Sequence, residues 1–249
     1  MKRYGLLGYP LTHSFSKRFF TAKFKEENVD SSYENFEIDN INKFPEVVKK
    51  NPDIVGFNVT IPYKEQVIPF LDELNDAARE IGAVNTIRVK RSGNSVHLKG
   101  FNTDTFGFET SLQPLLKDYH QKALILGTGG ASKALKYVLD KLGIDYLSVS
   151  RKKNIERGIT YEAITREIMQ ERLLIINATP LGTYPKVDTY PNIPYEFIGN
   201  RHLLFDVVYN PEESQFLRRG KERGAAIKNG YEMLLNQAIK SYQIWTSEE

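Results

Sequence analysis

Short apolar runs alternate with amphipathic stretches along the first hundred residues of the chain. Apolar runs of this length are typical of buried strands and amphipathic stretches of helices, so their alternation predicts an α/β fold. Residues 86–89 and 96–98 flank the turn residues Ser92, Gly93 and Asn94 and predict a hairpin that ends this sheet. The elements predicted before the hairpin are strands over residues 4–8, 33–38 and 54–61 and helices over residues 17–27, 41–50 and 77–81.

A βαβ pattern follows a predicted helix over residues 104–116, which leads the chain into a second unit. A buried-strand run over residues 123–126 precedes a glycine-rich turn, an apolar helix that ends near Leu142 and a strand over residues 146–149. Further apolar runs of this kind predict a doubly wound parallel sheet, and an amphipathic helix that can pack on either unit closes the chain. The further runs comprise residues 173–176, 203–208 and 225–228, and the last helix residues 233–245.

Composition narrows the class of protein. The 249 residues are 41% hydrophobic and 26% charged, which suits one large or two ordinary globular domains and excludes a disordered chain. A formal net charge of +3 is too weak for a nucleic-acid footprint. The chain has no cysteine for a disulfide or thiolate site, and its four histidines lack metal-ligand spacing, so we expect no metal. No apolar run resembles a signal peptide or a membrane span, so we expect a cytoplasmic protein.

A glycine-rich loop lies between the predicted strand over residues 123–126 and the following helix. A strand before and a helix after are the context that a dinucleotide-binding fingerprint requires. Glycines there permit a tight turn and a close approach to pyrophosphate, while the helix N-terminus offers unpaired N–H groups. A glycine turn that binds no ligand is the alternative interpretation. The cofactor contacts predicted in this loop are Gly127, Thr128, Gly129, Gly130 and Ala131, and Ser132 stands where a third glycine or alanine is usual.

The residues after the predicted strand over residues 146–149 bear on which dinucleotide binds. NAD-binding folds place an Asp or Glu there to hold the ribose 2′-hydroxyl. This chain has Ser150, Arg151, Lys152 and Lys153, a hydroxyl and three cations that suit a 2′-phosphate. A solvated surface cluster is the alternative interpretation. We therefore predict NADP (NADPH) as the cofactor, with Ser150, Arg151 and Lys152 among its contacts.

Several separate segments of the chain resemble the shikimate dehydrogenase family, in the family's order and spacing. The combination is specific even where a single segment is not. Lys17, Glu232, Ser150 and Lys152 depart from the residues usual in the family, and none of these departures removes a catalytic group. The matching segments are residues 8–10 with 13–16, 58–64, 82–86, 100–104, 127–131, 177–182 and 206–211, followed by Gly230, Met233, Leu234 and Gln237.

The resemblance implies a two-domain α/β enzyme. Residues 1–103 would form a substrate-binding and catalytic domain and residues 104–230 a Rossmann NADP-binding domain, with the active site in the cleft between them. A C-terminal helix over residues 231–249 would pack back on the first domain. The implied reaction is the reversible NADPH-dependent reduction of 3-dehydroshikimate to shikimate, on the route to chorismate and the aromatic amino acids. We expect a small-molecule substrate, no nucleic acid or membrane partner, and a monomer or homodimer.

The resemblance also assigns roles to individual residues. Lys64 and Asp104 look like the catalytic pair. Val207, Gly230 and Met233 fall at nicotinamide-side positions. Arg151 looks like the arginine that faces the 2′-phosphate, and Asp76 matches a weaker cofactor-side position. The residues that look like substrate contacts are Ser14, Ser16, Thr60, Asn85, Tyr209 and Gln237.

The chemistry of a ketone reduction fits these residue types. Hydride transfer leaves an alkoxide that needs a proton donor, for which Lys64 is the candidate, oriented by Asp104. Without the resemblance, a solvated lysine and a helix N-cap are the simpler interpretations. Ser14 and Ser16 alternate, so in an extended segment both hydroxyls would face one carboxylate, whereas ordinary turn serines are the alternative. A quinate/shikimate dehydrogenase with broader cofactor use and a non-catalytic NADP-binding regulator on the same fold also remain open.

Overall fold

The computed structural model describes residues 1–11, 15–152 and 156–247 of the chain. Packing divides the chain into two compact units. The first comprises Met1–Thr103 and Ala238–Glu249, and the second comprises Asp104–Gln237. The first unit is therefore discontinuous in sequence, whereas the second is continuous.

The first unit contains one sheet and the helices that cover it. Short 3₁₀ turns at Ile41–Lys43 and Ile68–Phe70 connect some of its elements. Its strands and helices up to Thr103 are β1 (Lys2–Gly8), α1 (Phe15–Glu26), β2 (Ser31–Glu37), α2 (Phe44–Lys50), β3 (Ile54–Val59), β4 (Glu73–Leu74), α3 (Asp76–Ile81), β5 (Thr86–Ser92) and β6 (Ser95–Phe101).

The sheet of the first unit is mixed, with strand order β2-β1-β3-β5-β6-β4. β1 lies parallel to β2 and β3, whereas β5 runs antiparallel to β3 and β6. Both faces of the sheet are buried, because Leu7 and Phe57 pack into one apolar cluster while Tyr4 and Leu6 pack into another. Because β1 and β3 are parallel, their carboxyl ends lie at the same edge of the sheet. After β3 the chain continues there to Thr60 and Lys64.

The second unit contains a second sheet. Its 3₁₀ turns are at Gln113–Leu115, Tyr161–Ala163 and Tyr195–Phe197. The helix α8 starts in this unit, and its residues from Ala238 onward group with the first unit. The strands and helices are α4 (Asp104–Leu112), β7 (Lys122–Leu126), α5 (Gly130–Lys141), β8 (Asp145–Ser150), β9 (Gly158–Thr160), α6 (Arg166–Glu171), β10 (Leu174–Asn177), β11 (Leu203–Asp206), α7 (Gln215–Lys221), β12 (Ala226–Lys228) and α8 (Tyr231–Thr246).

The second sheet is parallel throughout, with strand order β12-β11-β10-β7-β8-β9. On β7, Ala123 and Ile125 pack into one apolar cluster and Leu124 and Leu126 into the other, as expected of a sheet covered on both faces. This order is that of a Rossmann fold. Successive strands are added on one side of β7 up to β9 and on its other side from β10 onward, so the strand order reverses between β7 and β10. A ligand crevice is expected beyond the carboxyl ends of those two strands. The predicted doubly wound α/β fold is confirmed.

Some elements differ from the sequence-based prediction. The helix predicted over residues 104–116 ends at Leu112, because Pro114 lies in the next turn and cannot continue the hydrogen-bond pattern. The strand predicted over residues 54–61 ends at Val59, two residues before the Ile61–Pro62 bond. The hairpin does not form the edge of its sheet, because β4 pairs with β6 beyond it. The short elements β4, β9, α6 and α7 were not predicted.

Candidate functional site

The glycine loop follows β7, at the point where the strand order of the second sheet reverses. Gly127 has a φ of +103°, a left-handed conformation that L side chains rarely adopt, and its N–H donates to Val149 O at 2.8 Å. A Cβ atom at this position would lie 2.9 Å from Thr179 Cγ2. Glycine is therefore required here both by the turn and by the close approach of the segment after β10.

The following two glycines leave open space at the start of α5. Gly129 is the N-cap of α5, and nothing lies within 4 Å of a Cβ built on Gly129 or Gly130. Ser132 occupies the place of the usual third glycine, and its buried hydroxyl donates to Gly129 O at 2.6 Å. The departure from the fingerprint thus stabilises the loop internally, and the loop keeps the open approach to a helix N-terminus that a pyrophosphate needs.

A cavity of about 680 Å³ lies against this loop. It joins the glycine loop to the end of β8, so Gly127, Thr128 and Gly129 share it with Ser150, Arg151 and Lys152. Several lining residues were not predicted as site residues, because Tyr161 lies in a short 3₁₀ turn and Tyr190 in an irregular segment, and neither gives a strong sequence signal. The complete lining is Gly127, Thr128, Gly129, Val149, Ser150, Arg151, Lys152, Tyr161, Glu162, Ala178, Thr179, Pro180, Leu181, Tyr190 and Asn192.

The end of β8 forms the cationic wall of this cavity. The buried Ser150 hydroxyl accepts a hydrogen bond from Lys152 N at 3.1 Å, and the side chains of Arg151 and Lys152 are exposed. Burial raises the pKa of the Tyr161 phenol, while the charge of Arg151 lowers it, so the guanidinium and the phenol face the same space. Lys153 lies outside the described residues.

The opposite wall begins at the ends of β10 and β11. Asn177 Nδ2 donates to Asp206 Oδ1 at 2.9 Å, and Asn177 Oδ1 accepts from Thr179 N and Thr179 Oγ1 at 3.1 and 2.6 Å. Asp206 also accepts from Val208 N at 3.0 Å and from the Ser214 hydroxyl at 2.5 Å. Burial raises the pKa of Asp206 to about 6. This buried network fixes the segment 178–181 that lines the cavity.

The nicotinamide-side positions named by the resemblance pack together in the second unit. A Cβ at Gly230 would lie 2.2 Å from Val207 O, so only glycine lets the start of α8 approach the segment after β11 this closely. Gly230 N donates to Val208 O at 3.0 Å, and Met233 is buried in the cluster that covers this face of the sheet. Tyr209 is partly exposed on the same segment, and Gln237 is buried, with Nε2 donating to Leu234 O at 2.9 Å.

In the first unit, Thr60 and Lys64 lie in the turn after β3. Tyr63 N donates to Thr60 O at 2.9 Å, and Val84 N donates to Lys64 O at 2.7 Å, so the backbone on both sides of this turn is fixed. The side chains of Thr60 and Lys64 are half-buried. Lys64 is thus five residues beyond the end of its strand rather than at the strand end itself.

The Asn85 side chain is held in one orientation. It is buried between β5 and the segment after β6, and its Oδ1 accepts from Thr103 N at 2.7 Å, Thr103 Oγ1 at 3.1 Å and Thr86 Oγ1 at 3.2 Å. With three donors on the oxygen, the amide nitrogen of Asn85 is directed away from Thr103. An amide fixed in this way is suited to discriminate between ligand hydroxyls.

The two serines fare differently. Ser14 lies outside the described residues. Ser16 lies in the first turn of α1, so the extended conformation assumed for the pair is wrong at Ser16. Phe15 packs on Phe19, one helical turn further on, which explains why the chain becomes helical this early. The half-buried Ser16 hydroxyl forms a hydrogen bond with Tyr33 of β2.

Asp104 and Asp76 both begin helices. Asp104 is the half-buried first residue of α4, and it belongs to the second unit. Asp76 opens α3 in the first unit, is almost fully exposed and pairs with Arg79 NH1 at 2.8 Å. The cofactor-side role of Asp76 thus has no support from a buried or preorganised carboxylate.

The described ranges 1–11, 15–152 and 156–247 contain no group of three or more His, Asp or Glu side chains that could hold a metal ion. No helix within them is both long and apolar enough to cross a membrane.

Comparisons with known proteins find relatives over nearly the whole chain. The family profile described as shikimate dehydrogenase substrate binding domain matches residues 6–87. A shikimate dehydrogenase (NADP(+)) of Clostridium beijerinckii is 41% identical over 260 residues, which cover 98% of this chain and 92% of that protein. The crystal structure of shikimate dehydrogenase 1 from Peptoclostridium difficile is 39% identical with a TM-score of 0.83, over 98% of this chain and 91% of that one.

A third relative was solved with ligands. The shikimate 5-dehydrogenase of Thermus thermophilus, in complex with NADP(H) and shikimate, is 29% identical with a TM-score of 0.85, over 99% of this chain and 93% of that one. The similarity therefore extends over both units. The chain belongs to the shikimate dehydrogenase family.

Proposed function

We propose that the protein is an NADP-dependent oxidoreductase that interconverts 3-dehydroshikimate and shikimate. The observation that carries the proposal is the cavity where the strand order of the parallel sheet reverses, which is lined by the glycine loop and by the cations Arg151 and Lys152. Its dimensions and lining suit a dinucleotide that carries an additional phosphate. The curated Clostridium beijerinckii relative bears the name of this NADP-dependent activity.

The residues present fit NADP. The open space at Gly129 and Gly130 and the N-terminus of α5 would take the pyrophosphate, because backbone N–H groups there have no partner within the helix. Arg151 and Lys152 would hold the 2′-phosphate, since Arg is always charged and no carboxylate occupies the position of Ser150. Val207, Gly230 and Met233 would hold the nicotinamide end. When bound, the cofactor supplies or accepts the hydride.

Lys64 is the proposed proton donor and acceptor at the substrate oxygen. Its ammonium would polarise the ketone and protonate the alkoxide that forms on reduction, and Asp104 would orient the ammonium. The fixed backbone on both sides of Lys64 supports this role, because a catalytic group must be held in place before the substrate arrives. Both assignments rest on the match of residues 58–64 and 100–104 to the family.

The substrate would be held by neutral donors. Ser14 and Ser16 are the proposed partners of its carboxylate, while Thr60, Asn85, Tyr209 and Gln237 would contact the ring and its hydroxyls. The buried and oriented amide of Asn85 supports this division, because a site built to pair with hydroxyl groups rejects analogues that lack them.

The discriminating experiment follows NADPH oxidation with 3-dehydroshikimate and with 3-dehydroquinate, and repeats both with NADH. We expect 3-dehydroshikimate and NADPH to give the highest kcat/KM. Comparable turnover of 3-dehydroquinate with NADH would favour a quinate/shikimate dehydrogenase. Binding of NADPH without turnover of either substrate would favour a regulator.

The Lys64→Ala variant tests the catalytic assignment. We expect kcat to fall by ~10² or more while the Kd for NADPH stays near the wild-type value, because only a proton-transfer group is removed. The Lys49→Ala variant, which removes an exposed lysine of α2 in the same unit, is the control and should retain full activity. A fully active Lys64→Ala enzyme would exclude the role.

A further inference from the structure

Tyr33 of β2 is a phenol buried among aromatic rings. It is 3% exposed, its ring stacks on Phe20 with centroids 4.7 Å apart, and Trp245 lies at 6.4 Å. Burial raises the pKa of the phenol, so Tyr33 stays neutral. A tyrosine on an apolar face adds a hydroxyl that costs free energy unless it is paired, and phenylalanine would fill the same space. The hydroxyl therefore needs an explanation beyond packing.

The Tyr33 hydroxyl has two hydrogen-bond partners. Tyr33 OH donates to Asn58 Oδ1 at 2.8 Å. Its second partner is the hydroxyl of Ser16, at the start of α1. Tyr33 thus joins the helix that carries a proposed carboxylate-binding serine to the central strand β3.

The hydrogen bonds continue from Asn58 into the site. Asn58 Nδ2 donates to Ser241 Oγ at 3.0 Å and to Thr86 Oγ1 at 3.3 Å, and these two hydroxyls are themselves 2.7 Å apart. Thr86 Oγ1 in turn reaches Asn85 Oδ1 at 3.2 Å. A continuous series of hydrogen bonds therefore runs from the half-buried Ser16 through the buried Tyr33, Asn58 and Thr86 to Asn85, within the first unit.

We propose that Tyr33 is a positioning residue, which holds the Ser16 hydroxyl where a substrate carboxylate can accept its hydrogen bond and links it to Asn85. This inference rests on the proposed function, in which Ser16 contacts the carboxylate. It adds a residue in contact with neither substrate nor cofactor, placed on a strand whose sequence otherwise specifies only a core position.

The hydrogen bonds of this series can change direction. A hydroxyl both donates and accepts, so Tyr33 remains paired with Ser16 whether the Ser16 hydrogen points to the phenol or to a bound carboxylate. In the second arrangement the Tyr33 hydrogen turns to Ser16, and the Asn58 amide turns over so that its nitrogen donates to Tyr33 and its oxygen accepts from Ser241. The backbone oxygen of Asn85 then loses its 3.4 Å contact with Asn58 Nδ2 but keeps the hydrogen bond from Val59 N at 2.8 Å. The carboxylate can therefore be bound without leaving a buried oxygen of this series unpaired.

The Tyr33→Phe variant tests the proposal through the substrate carboxylate. We expect the KM for shikimate to rise roughly five- to tenfold, from the loss of one hydrogen bond behind a group that binds a charge. The inhibition or Michaelis constant of shikimate methyl ester, the KM for NADP⁺ and kcat should change less than about twofold. The Tyr4→Phe variant is the control, because Tyr4 packs in the same aromatic cluster and its hydroxyl is not part of this series of hydrogen bonds, and it should match wild type in every constant.

Ser16→Ala separates the possible failures. If Tyr33 acts through Ser16, Tyr33→Phe should have almost no further effect on the shikimate KM in the Ser16→Ala background. An unchanged shikimate KM in Ser16→Ala would refute the carboxylate assignment of the proposed function. A raised KM in Ser16→Ala with an unchanged KM in Tyr33→Phe would refute this inference alone, as would an equal rise for shikimate and its methyl ester.

A second variant covers the case in which Tyr33→Phe does not fold. Incorporation of 3-fluorotyrosine at position 33 keeps the ring and the hydroxyl but makes the phenol a weaker acceptor and a stronger donor. We expect a change of about twofold or more in the shikimate KM, absent for the methyl ester. Identical constants for both compounds in this folded protein would overturn the proposal.

Discussion

Asp206 carries a negative charge into the interior of the second unit. It is fully buried, and the hydrogen bonds to it come from neutral groups, Asn177, Ser214 and the Val208 N–H. Burial disfavours the charged form and raises the pKa from 3.8 to about 6. The folded protein therefore holds this proton more tightly than the unfolded chain does.

The sign of the pH effect follows from that difference. The contribution of a protonated Asp206 to stability is fully present below about pH 4 and is lost as the pH rises through about 6, a change of about 3 kcal/mol from a shift of roughly two pKa units. We predict that the unfolding free energy of wild type minus that of Asp206→Asn falls by about this amount between pH 4 and pH 7, because the amide does not titrate. Urea denaturation at one-unit pH intervals measures it, and a constant difference would contradict the prediction.

Arg151 is the residue on which cofactor preference should depend most. Its guanidinium lies on the cavity wall beside Tyr161. Lys152 can also bind a phosphate there, and the negative charge of Glu162 opposes phosphate binding. We predict that Arg151→Ala weakens NADPH binding by ~10-fold, on the order of 1.4 kcal/mol, and leaves NADH almost unaffected. The addition of Ser150→Asp should move preference further toward NADH.

Fluorescence titration of both cofactors checks the prediction for Arg151. The control is Lys141→Ala, which removes an exposed cation of the second unit that pairs with Glu109, and it should change neither Kd. Equal weakening of NADPH and NADH by Arg151→Ala would mean that Arg151 does not read the 2′-phosphate.

At the scale of elements, the last turns of α8 are an integral part of the first unit. Trp245 is buried, its ring lies 4.9 Å from Tyr4 and 5.3 Å from Phe20, and its Nε1 donates to Ile87 O at 2.9 Å. A Cβ at Gly56 would lie 2.3 Å from Trp245 Nε1, so β3 carries a glycine beneath the indole. The helix and the sheet are thus shaped for each other.

We predict that Trp245→Ala lowers the unfolding free energy by roughly 3–5 kcal/mol, because the cavity cannot be refilled by the rigid rings around it. The matched variant Gln243→Ala, an exposed position on the same helix, should stay within about 0.5 kcal/mol of wild type. Trp245 is the only tryptophan of the chain, so circular dichroism rather than fluorescence should follow unfolding. A loss below about 1 kcal/mol would show that the helix end is not part of the folded core.

The sequence predicts the long elements of this fold better than the short ones. β7 and α5 have an uninterrupted apolar run and a capping glycine loop, and both were predicted to within about a turn. β9 and α6 have three and six residues, too few for a periodicity to emerge, and their place is fixed by pairing with β8 and by the Thr165 cap. Tyr161 was missed as a cavity residue for the same reason, and Tyr190 because it lies in an irregular segment without any periodicity.

At the scale of the whole molecule, motifs and networks differ in how far the sequence reveals them. The glycine loop and the cations after β8 are contiguous, so their chemistry is readable from local order. The hydrogen bonds that connect Ser16 to Asn85 include one between Asn58 and Ser241, which are 183 residues apart in sequence. No local pattern encodes such a pairing, because only the packed sheet brings the partners within hydrogen-bond distance. Residues in recognisable motifs can therefore be identified from the sequence, whereas Tyr33, which supports one of them, cannot.

The discontinuity of the first unit has a consequence for synthesis on the ribosome. Domains of a nascent chain usually fold in the order in which they emerge, the N-terminal one first. Here the aromatic cluster around Tyr4 and Phe20 lacks Trp245 until residues 238–246 have emerged, whereas all of Asp104–Gln237 is available earlier. The order of completion is thereby reversed: the first segment to be translated is the last to be completed, and its aromatic core keeps an apolar surface open until the end of α8 is available.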